Sequence, residues 1–214
     1  MDQEVEIISA NTRNEKIKNF FINNRKLLIS VLVIIILVLI GFFGYKEYLA
    51  SKKEKLGEQY NIAVIKFEAG QKDNIEQTLK EVIFAKDRTY SPLAFFFLFD
   101  NEIITDPNEI NQYFDIIINE SGLDEETKNL TIFKKGLFNS DFVEENKLLE
   151  ILNPVIKSES IWKPHAIYLM AEYYFFNNQK QKSKEFFEQL ISIESVPPKI
   201  KTEAQQRLRA DLSE

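Results

Sequence analysis

Residues 164–193 read PHAIYLMAEYYFFNNQKQKSKEFFEQLISI, two helical patterns separated by the polar triplet Asn177, Asn178 and Gln179. Such a triplet stops one helix and starts the next, so helices over Pro164–Phe176 and Lys180–Ile193 are predicted. Ala171 and Tyr174 lie one turn apart, Ser183 follows Tyr174 by nine residues, and Phe187 follows Ser183 by four. Small side chains at Ala171 and Ser183 let two antiparallel helices approach, while Tyr174 and Phe187 fill the sides. Neither helix can bury its apolar stripe alone, which makes an all-α, paired architecture the expectation. Val196, Pro197 and Pro198 then break the pattern, and Ala204, Leu208 and Leu212 mark a helix that caps the last pair.

The same alternation extends toward the N-terminus. Gly70 to Asp73 separate a helix ending near Phe67 from Asn74–Phe84. Thr105, Asp106 and Pro107 separate Pro92–Ile104 from Asn108–Ile118, and Asn139, Ser140 and Asp141 separate Glu125–Phe138 from Phe142–Leu152. The markers Gly70, Asp106, Ser140 and Asn178 are spaced by 36, 34 and 38 residues, the length of a two-helix repeat. Ala94, Phe97 and Leu98 are expected to pack with Ile110, Phe114 and Ile117. Leu130, Phe133 and Leu137 are expected to pack with Leu148 and Ile151. The predicted fold is an α-solenoid of about four helix pairs with a C-terminal capping helix. The spacing in the last pair resembles the tetratricopeptide repeat, with serine at the usual small position.

Before the repeats stands LLISVLVIIILVLIGFFGY, residues 27–45, without a single charge. Nineteen residues in a helix cover about 28 Å, enough to cross a hydrocarbon core of about 30 Å. A secretory signal has a shorter apolar region and a small-residue cleavage site; this run is longer, ends in FFGYKEY, and reads as an uncleaved transmembrane helix. Tyr45 and Tyr48 suit the headgroup boundary. The flanks are nearly balanced: Arg13, Lys16, Lys18, Arg25 and Lys26 against Lys46, Lys52, Lys53 and Lys55. Charge alone therefore prefers an inside N-terminus only slightly. Residues 1–26 form a short tail in which Ile17, Phe20 and Phe21 share a helical face suited to the membrane surface. From Lys46 the pattern stays helical through Leu49, Leu56, Tyr60, Ile62, Ala63, Val64, Ile65 and Phe67, broadening where a folded domain, residues 46–214, begins.

Composition narrows the function classes. The 214-residue chain has 18 Phe and 8 Tyr against 6 Gly and 6 Pro, as a core-forming chain does. It contains no Cys and one His, which excludes disulfides, thiolate chemistry and multi-histidine metal sites. Its 27 Lys and Arg against 33 Asp and Glu, net −6 with both signs interspersed, argue against a nucleic-acid surface. Six glycines include no phosphate-binding loop. The clusters Asp124, Glu125, Glu126 and Glu144, Glu145 fall at turns or helix starts, where they suit the helix dipole. Glu102 and Asp106 are four apart and could share a helical face, yet nothing predicts a pocket between them. His165, in a first turn, reads as a surface or satisfied core residue, and Trp162 as a cover for the seam between the third and fourth pairs. The rings Phe95, Phe96, Phe97 and Phe99, and those of Tyr173 to Phe176, read chiefly as repeat core, some being available to a concave face that takes a peptide or partner helix. No catalytic, cofactor-binding or metal-binding residue is assigned, no cofactor is expected, and the chain is read as not an enzyme.

The order of KNFFINNRKLL, the apolar run, GYKEYLASKKEK and degenerate repeats resembles the ancillary SecYEG translocon subunit family (YfgM-like). Lys, Asn and Ile usage is similar to that of AT-rich marine alphaproteobacteria, which points to a divergent member. The resemblance implies a single-pass protein of the bacterial inner membrane, with a cytoplasmic N-terminus and a periplasmic repeat domain. It further implies partners in the SecYEG translocon and a membrane-anchored periplasmic chaperone, and a noncatalytic adaptor role in handing over exported proteins. The alternative is an envelope scaffold or cell-division coordinator that acts through oligomerisation.

Overall fold

The computed structural model describes residues 15–210 and 212, and among them every regular element is helical. Residues 15–23 form α1. It is followed by α2 (Arg25–Glu68), α3 (Ile75–Phe84), α4 (Tyr90–Asp100), α5 (Pro107–Glu120), α6 (Glu125–Asn139), α7 (Glu145–Ile156), α8 (Lys163–Phe176), α9 (Lys180–Ile191) and α10 (Pro198–Ala210). Of the expected flank charges, Arg13 lies outside the described residues. Two compact units divide within α2, residues 1–55 and 56–214.

In the first unit α2 carries the apolar run. It is the one helix among the described residues that is long and apolar enough to cross a membrane, with a mean hydropathy of 3.2 over its most apolar 18 residues, none of them buried. Ser30 donates its hydroxyl hydrogen bond to the Lys26 carbonyl, 2.9 Å away, so even this polar group is satisfied within the helix.

Burial begins at Leu56. The face of α2 that enters the second unit is narrower than the sequence pattern predicts. Leu56, Gly57 and Ala63 are buried and Tyr60 and Phe67 pack against the same core, whereas Ile62 and Ile65 remain exposed. Gly57 is part of the reason: Tyr90 of α4 occupies the space where a side chain at this position would project.

Consecutive helices pack along the second unit, and alternate ones touch as well, α3 with α5, α6 with α8 and α8 with α10, which arranges them in two layers. The same turn ends three helices. At Gly70, Glu102 and Asn178 the chain takes positive φ (78°, 54° and 58°). The following amide in each case reaches back to the carbonyl five residues earlier, as Gln71 does to Lys66, Ile103 to Leu98 and Gln179 to Tyr174, each 2.9 Å away. These bonds satisfy carbonyls the helix leaves orphaned.

The closest pairings are α8–α9, α3–α4 and α6–α7, while α4 and α5 touch more loosely. The last pair is built as its spacing predicts. Ala171 and Ser183 are fully buried, Ser183 Oγ donates to the Ala171 carbonyl at 2.9 Å, and Tyr174 and Phe187 are buried to either side. Ala204 seals the far side, in one cluster with Phe187, Leu190 and Leu212. Between α4 and α5 large rings hold the backbones apart: Phe95 meets Phe114 with centroids 4.7 Å apart, and Phe99 and Phe114 both meet Phe138 of α6.

Three expectations need correction. The buried face of α6 is Asn129, Thr131, Ile132, Gly136 and Asn139, and Leu137 is 52% exposed; on α7 the expected Leu148 is fully buried together with Leu152 and Val155, while Ile151 packs against that core only partly buried. Gly136 causes this register, since the Leu152 side chain occupies the place its side chain would take. Second, α7 begins at Glu145 rather than Phe142 and continues through Pro154 to Ile156. Burial of Val155 favours that last turn, in which the proline leaves few intrahelical bonds to lose. Third, α4 ends at Asp100, so the helix expected to reach Ile104 stops before Glu102.

Candidate protein-interaction surface

An extended concave feature of the second unit is bordered by residues of α3, α5, α6 and α7. One hollow of about 630 Å³ is lined by Phe84, Lys86, Gln112, Ile116 and Asn119 among others. A second, of about 250 Å³, is lined by Ile132, Lys135, Lys147, Ile151 and Pro154. Asp115 and Asn119 of α5 border both, so the two form one groove.

Helix α5 positions this groove because Asp106 caps it, accepting from the Asn108 amide at 3.0 Å, with Pro107 opening its first turn. Its apolar side, Ile110, Tyr113, Phe114 and Ile117, is buried, which turns Gln112, Asp115 and Asn119 outward. Across the groove the charges are neutralised in place. Lys86 pairs with Glu120, Lys135 with Asp115 at 2.6 Å, and Lys147 with Glu150 at 3.0 Å. Asn111 and Asn139 exchange reciprocal amide hydrogen bonds of 3.0 and 2.8 Å and fix α6 against α5. The side chains of Gln112 and Asn119 bond to nothing in the described chain. Phe84, half exposed, stands at one end with its ring edge-to-face on Tyr113. The groove thus offers free amides and an apolar ring without a net charge. Amides of this kind donate to and accept from a main chain equally well.

Polar hubs hold its walls. Lys80 of α3 bridges Glu76 and Glu109, each at 2.6 Å, and Tyr113 donates to Glu109 at 2.6 Å. The Lys80 hydrogen bond, then that of Tyr113, holds the Glu109 carboxyl below its ordinary range. Burial, reinforced by Glu109, pushes the Tyr113 phenol far above its own. Farther along, Glu145 at the start of α7 accepts from Lys182 at 2.7 and 2.9 Å, Gln179 at 3.1 Å and Tyr174 at 3.2 Å. Lys182 is the main reason its carboxyl is depressed, and Gln179 and Tyr174 add to the effect. The Tyr174 phenol is pushed up to about 12 by burial and then by Glu145, which keeps it a donor. On the other layer Arg207 clamps Glu172 with two 3.0 Å bonds and covers the face of Phe175.

The residues weighed for chemistry are dispersed. Asp124 caps α6, accepting from the amide and hydroxyl of Thr127 at 3.0 and 2.8 Å, and these bonds lower its carboxyl pKa. Glu126 accepts from Ser160 at 2.7 Å. Glu102 sits in a turn and Asp106 at a cap, so the helical face expected to join them does not exist. His165 is half-buried beside Phe133 and Trp162, with its Nδ1 unpaired within the described chain, so it lies between the surface and the satisfied core positions expected. Trp162 stacks on Phe133 at 5.9 Å and does cover the seam between α6 and α8. Among the aromatic runs only Phe176, at 72%, is largely exposed; the remainder pack wholly or partly into the core. Among the described residues no group of three or more His, Asp or Glu is placed to hold a metal. Sequence reasoning missed Gln112, Asn119 and the Glu145 hub, since polar residues on an exposed stripe carry no signal until the stacking of helices makes a groove of them.

A family model described as a tetratricopeptide repeat-like domain matches residues 18–103. No curated protein and no solved structure matches the chain. The matched region runs from α1 through the apolar helix to the turn after α4, so tail, apolar helix and first repeats match together, and the well-formed α8–α9 pair lies beyond it. The chain is an all-α protein with a tetratricopeptide-repeat-like region, a noncatalytic type of module suited to protein–protein interaction.

Proposed function

We propose that this protein is a noncatalytic membrane-anchored adaptor, whose groove bordered by α3, α5, α6 and α7 receives an extended segment of a protein partner. The observation that carries this reading is the self-neutralised groove with unengaged Gln112 and Asn119 amides beside an exposed Phe84. A polypeptide main chain offers the matching donors and acceptors, and one apolar side chain suits the ring. In this reading the helices of the second unit act as about four repeat pairs with α10 as their cap, and residues 27–45 hold them at a bilayer.

The finer reading places the anchor in the bacterial inner membrane, with the tail cytoplasmic and residues 46–214 periplasmic. There the adaptor works beside the Sec translocon and hands exported chains to a membrane-anchored periplasmic chaperone. The order of tail, apolar helix and repeats supports it, through the resemblance to the translocon-subunit family. A photocrosslinking residue at Asn119, activated in intact membranes, tests the assignment. Adducts with translocon subunits, exported chains or a periplasmic chaperone are expected. Adducts with copies of this chain alone would favour the oligomerising envelope scaffold and overturn the handover role.

A further inference from the structure

The segment before the apolar helix has a pattern of its own. At about 100° per residue, Ile17, Phe20 and Phe21 fall within one arc of α1, and all three are at least half exposed. Lys16 and Lys18 stand about 100° to either side of the centre of that arc, at its borders with Asn23, while Glu15, Asn19 and the exposed Ile22 occupy the opposite side. Arg25 and Lys26 follow directly, giving four basic residues against Glu15 over residues 15–26. That excess stands out in a chain whose net charge is −6. At the junction Asn24, the single residue between α1 and α2, donates both its backbone amide and its side-chain amide to the Phe20 carbonyl, at 3.0 and 2.9 Å.

We infer that α1 is an interfacial helix that docks on anionic lipid headgroups, with Ile17, Phe20 and Phe21 at the acyl boundary and Lys16 and Lys18 on the lipid phosphates. Lysines bordering an apolar face can lay their methylene stems along the acyl boundary and lift their ammonium groups to the phosphates. On a surface without net charge the ammonium groups gain no counter-charge and three apolar side chains alone do not hold the helix down, so the arrangement selects negative headgroups. The occupant follows from position as well as charge, because the bilayer-spanning run starts within a few residues of α1. The inference rests on the reading of residues 27–45 as a membrane anchor.

The chain has no native cysteine, so single spin labels report without background. Full-length protein carrying a label at Phe21→Cys, Asn19→Cys or Ile36→Cys is reconstituted into vesicles of phosphatidylcholine alone or mixed with phosphatidylglycerol. Relaxation by oxygen and by a water-soluble nickel chelate gives the depth of each label. In the anionic vesicles the Phe21→Cys label should be shielded from nickel and the Asn19→Cys label open to it. That shielding should be lost in pure phosphatidylcholine and in a Lys16→Gln/Lys18→Gln background, and restored by arginine at both positions. A water-exposed Phe21→Cys label in anionic vesicles, with Ile36→Cys still in lipid, would overturn the docking. Equal shielding in both lipids would overturn the headgroup selection. A water-exposed Ile36→Cys label would instead overturn the anchor reading beneath it.

Discussion

Two neighbouring-helix contacts in this molecule solve one packing problem in opposite ways. Between α8 and α9, Ala171 and Ser183 remove side-chain bulk from the interface, the backbones close in, and a hydroxyl-to-carbonyl bond of 2.9 Å fills the gap. Between α4 and α5, Phe95, Phe96, Phe99 and Phe114 keep the backbones apart and fill the space with ring contacts at 4.7 to 6.3 Å. Close backbone packing fixes geometry through a few small positions that tolerate little change. A cluster of rings spreads the same task over many contacts with several ways to repack. One repeat architecture can therefore combine a rigid end and an adaptable one.

The largest expected effect tests that contrast. Phe187 and Phe114 are both fully buried, and truncating either to alanine should cost about 3–5 kcal/mol. Phe187→Ala should fall at the upper end, because the tightly held α8–α9 backbones cannot collapse onto the cavity. Phe114→Ala should fall at the lower end, because its ring neighbours can shift into the space. Denaturant melts of the full chain in detergent micelles, followed by Trp162 fluorescence and circular dichroism, give both values. Equal costs, or a larger cost at Phe114, would break the comparison.

A smaller effect separates two glycines. Added methyl groups at Gly136 and Gly57 both collide, with Leu152 and with the Tyr90 hydroxyl 2.5 Å away. Leu152 is fully buried and has nowhere to go, whereas Tyr90 is partly exposed and can swing its ring outward. Gly136→Ala should therefore destabilise by about 1–3 kcal/mol from overpacking. Gly57→Ala should come out near neutral, since the gain of about 1 kcal/mol in helix propensity offsets the displaced ring. The same melts decide it, and a Gly57→Ala variant as damaged as Gly136→Ala would show Tyr90 to be a fixed wall.

These glycines also mark where the sequence stopped being readable. The turns and the α8–α9 pair were legible because Asn, Gly and Pro punctuation and the Ala171, Tyr174, Ser183, Phe187 spacing are local signals. The register of α6 was not, because its inward face uses Asn129, Thr131, Gly136 and Asn139, which hydrophobic periodicity passes over. Its Leu137, counted as core by that periodicity, points outward. The end of α4 was overshot because a non-glycine residue, Glu102, takes the left-handed conformation usually reserved for glycine or asparagine. The groove was invisible for a different reason: Gln112 and Asn119 acquire meaning only once residues of α3, α6 and α7 border the same hollows.

The smallest effect concerns acid, and it distinguishes the polar tie at the C-terminal end from the rings farther back. Glu145 joins α7 to α8 and α9 through Tyr174, Gln179 and Lys182, whereas the α4–α5 contact rests on uncharged rings. Its carboxyl is held below the ordinary glutamate value, chiefly by Lys182. A depressed carboxylate stabilises the fold fully above its unfolded pKa of about 4.3, and that contribution is lost as pH falls through the lower folded value. Lys182 is about half exposed, so solvent screening limits the tie to about 0.2–1 kcal/mol. Glu145→Gln should then lower stability slightly at pH 7 and flatten part of its decline on acidification, leaving the share that Glu109 contributes. Hydrogen exchange at neutral and acidic pH locates the change: protection of α9 should fall with acid in the parent chain and vary less in Glu145→Gln, while α4 amides respond alike in both. An unchanged acid response of α9 in the variant would mean that the Glu145 hub does not hold that end together, and that Ala171 and Ser183 suffice.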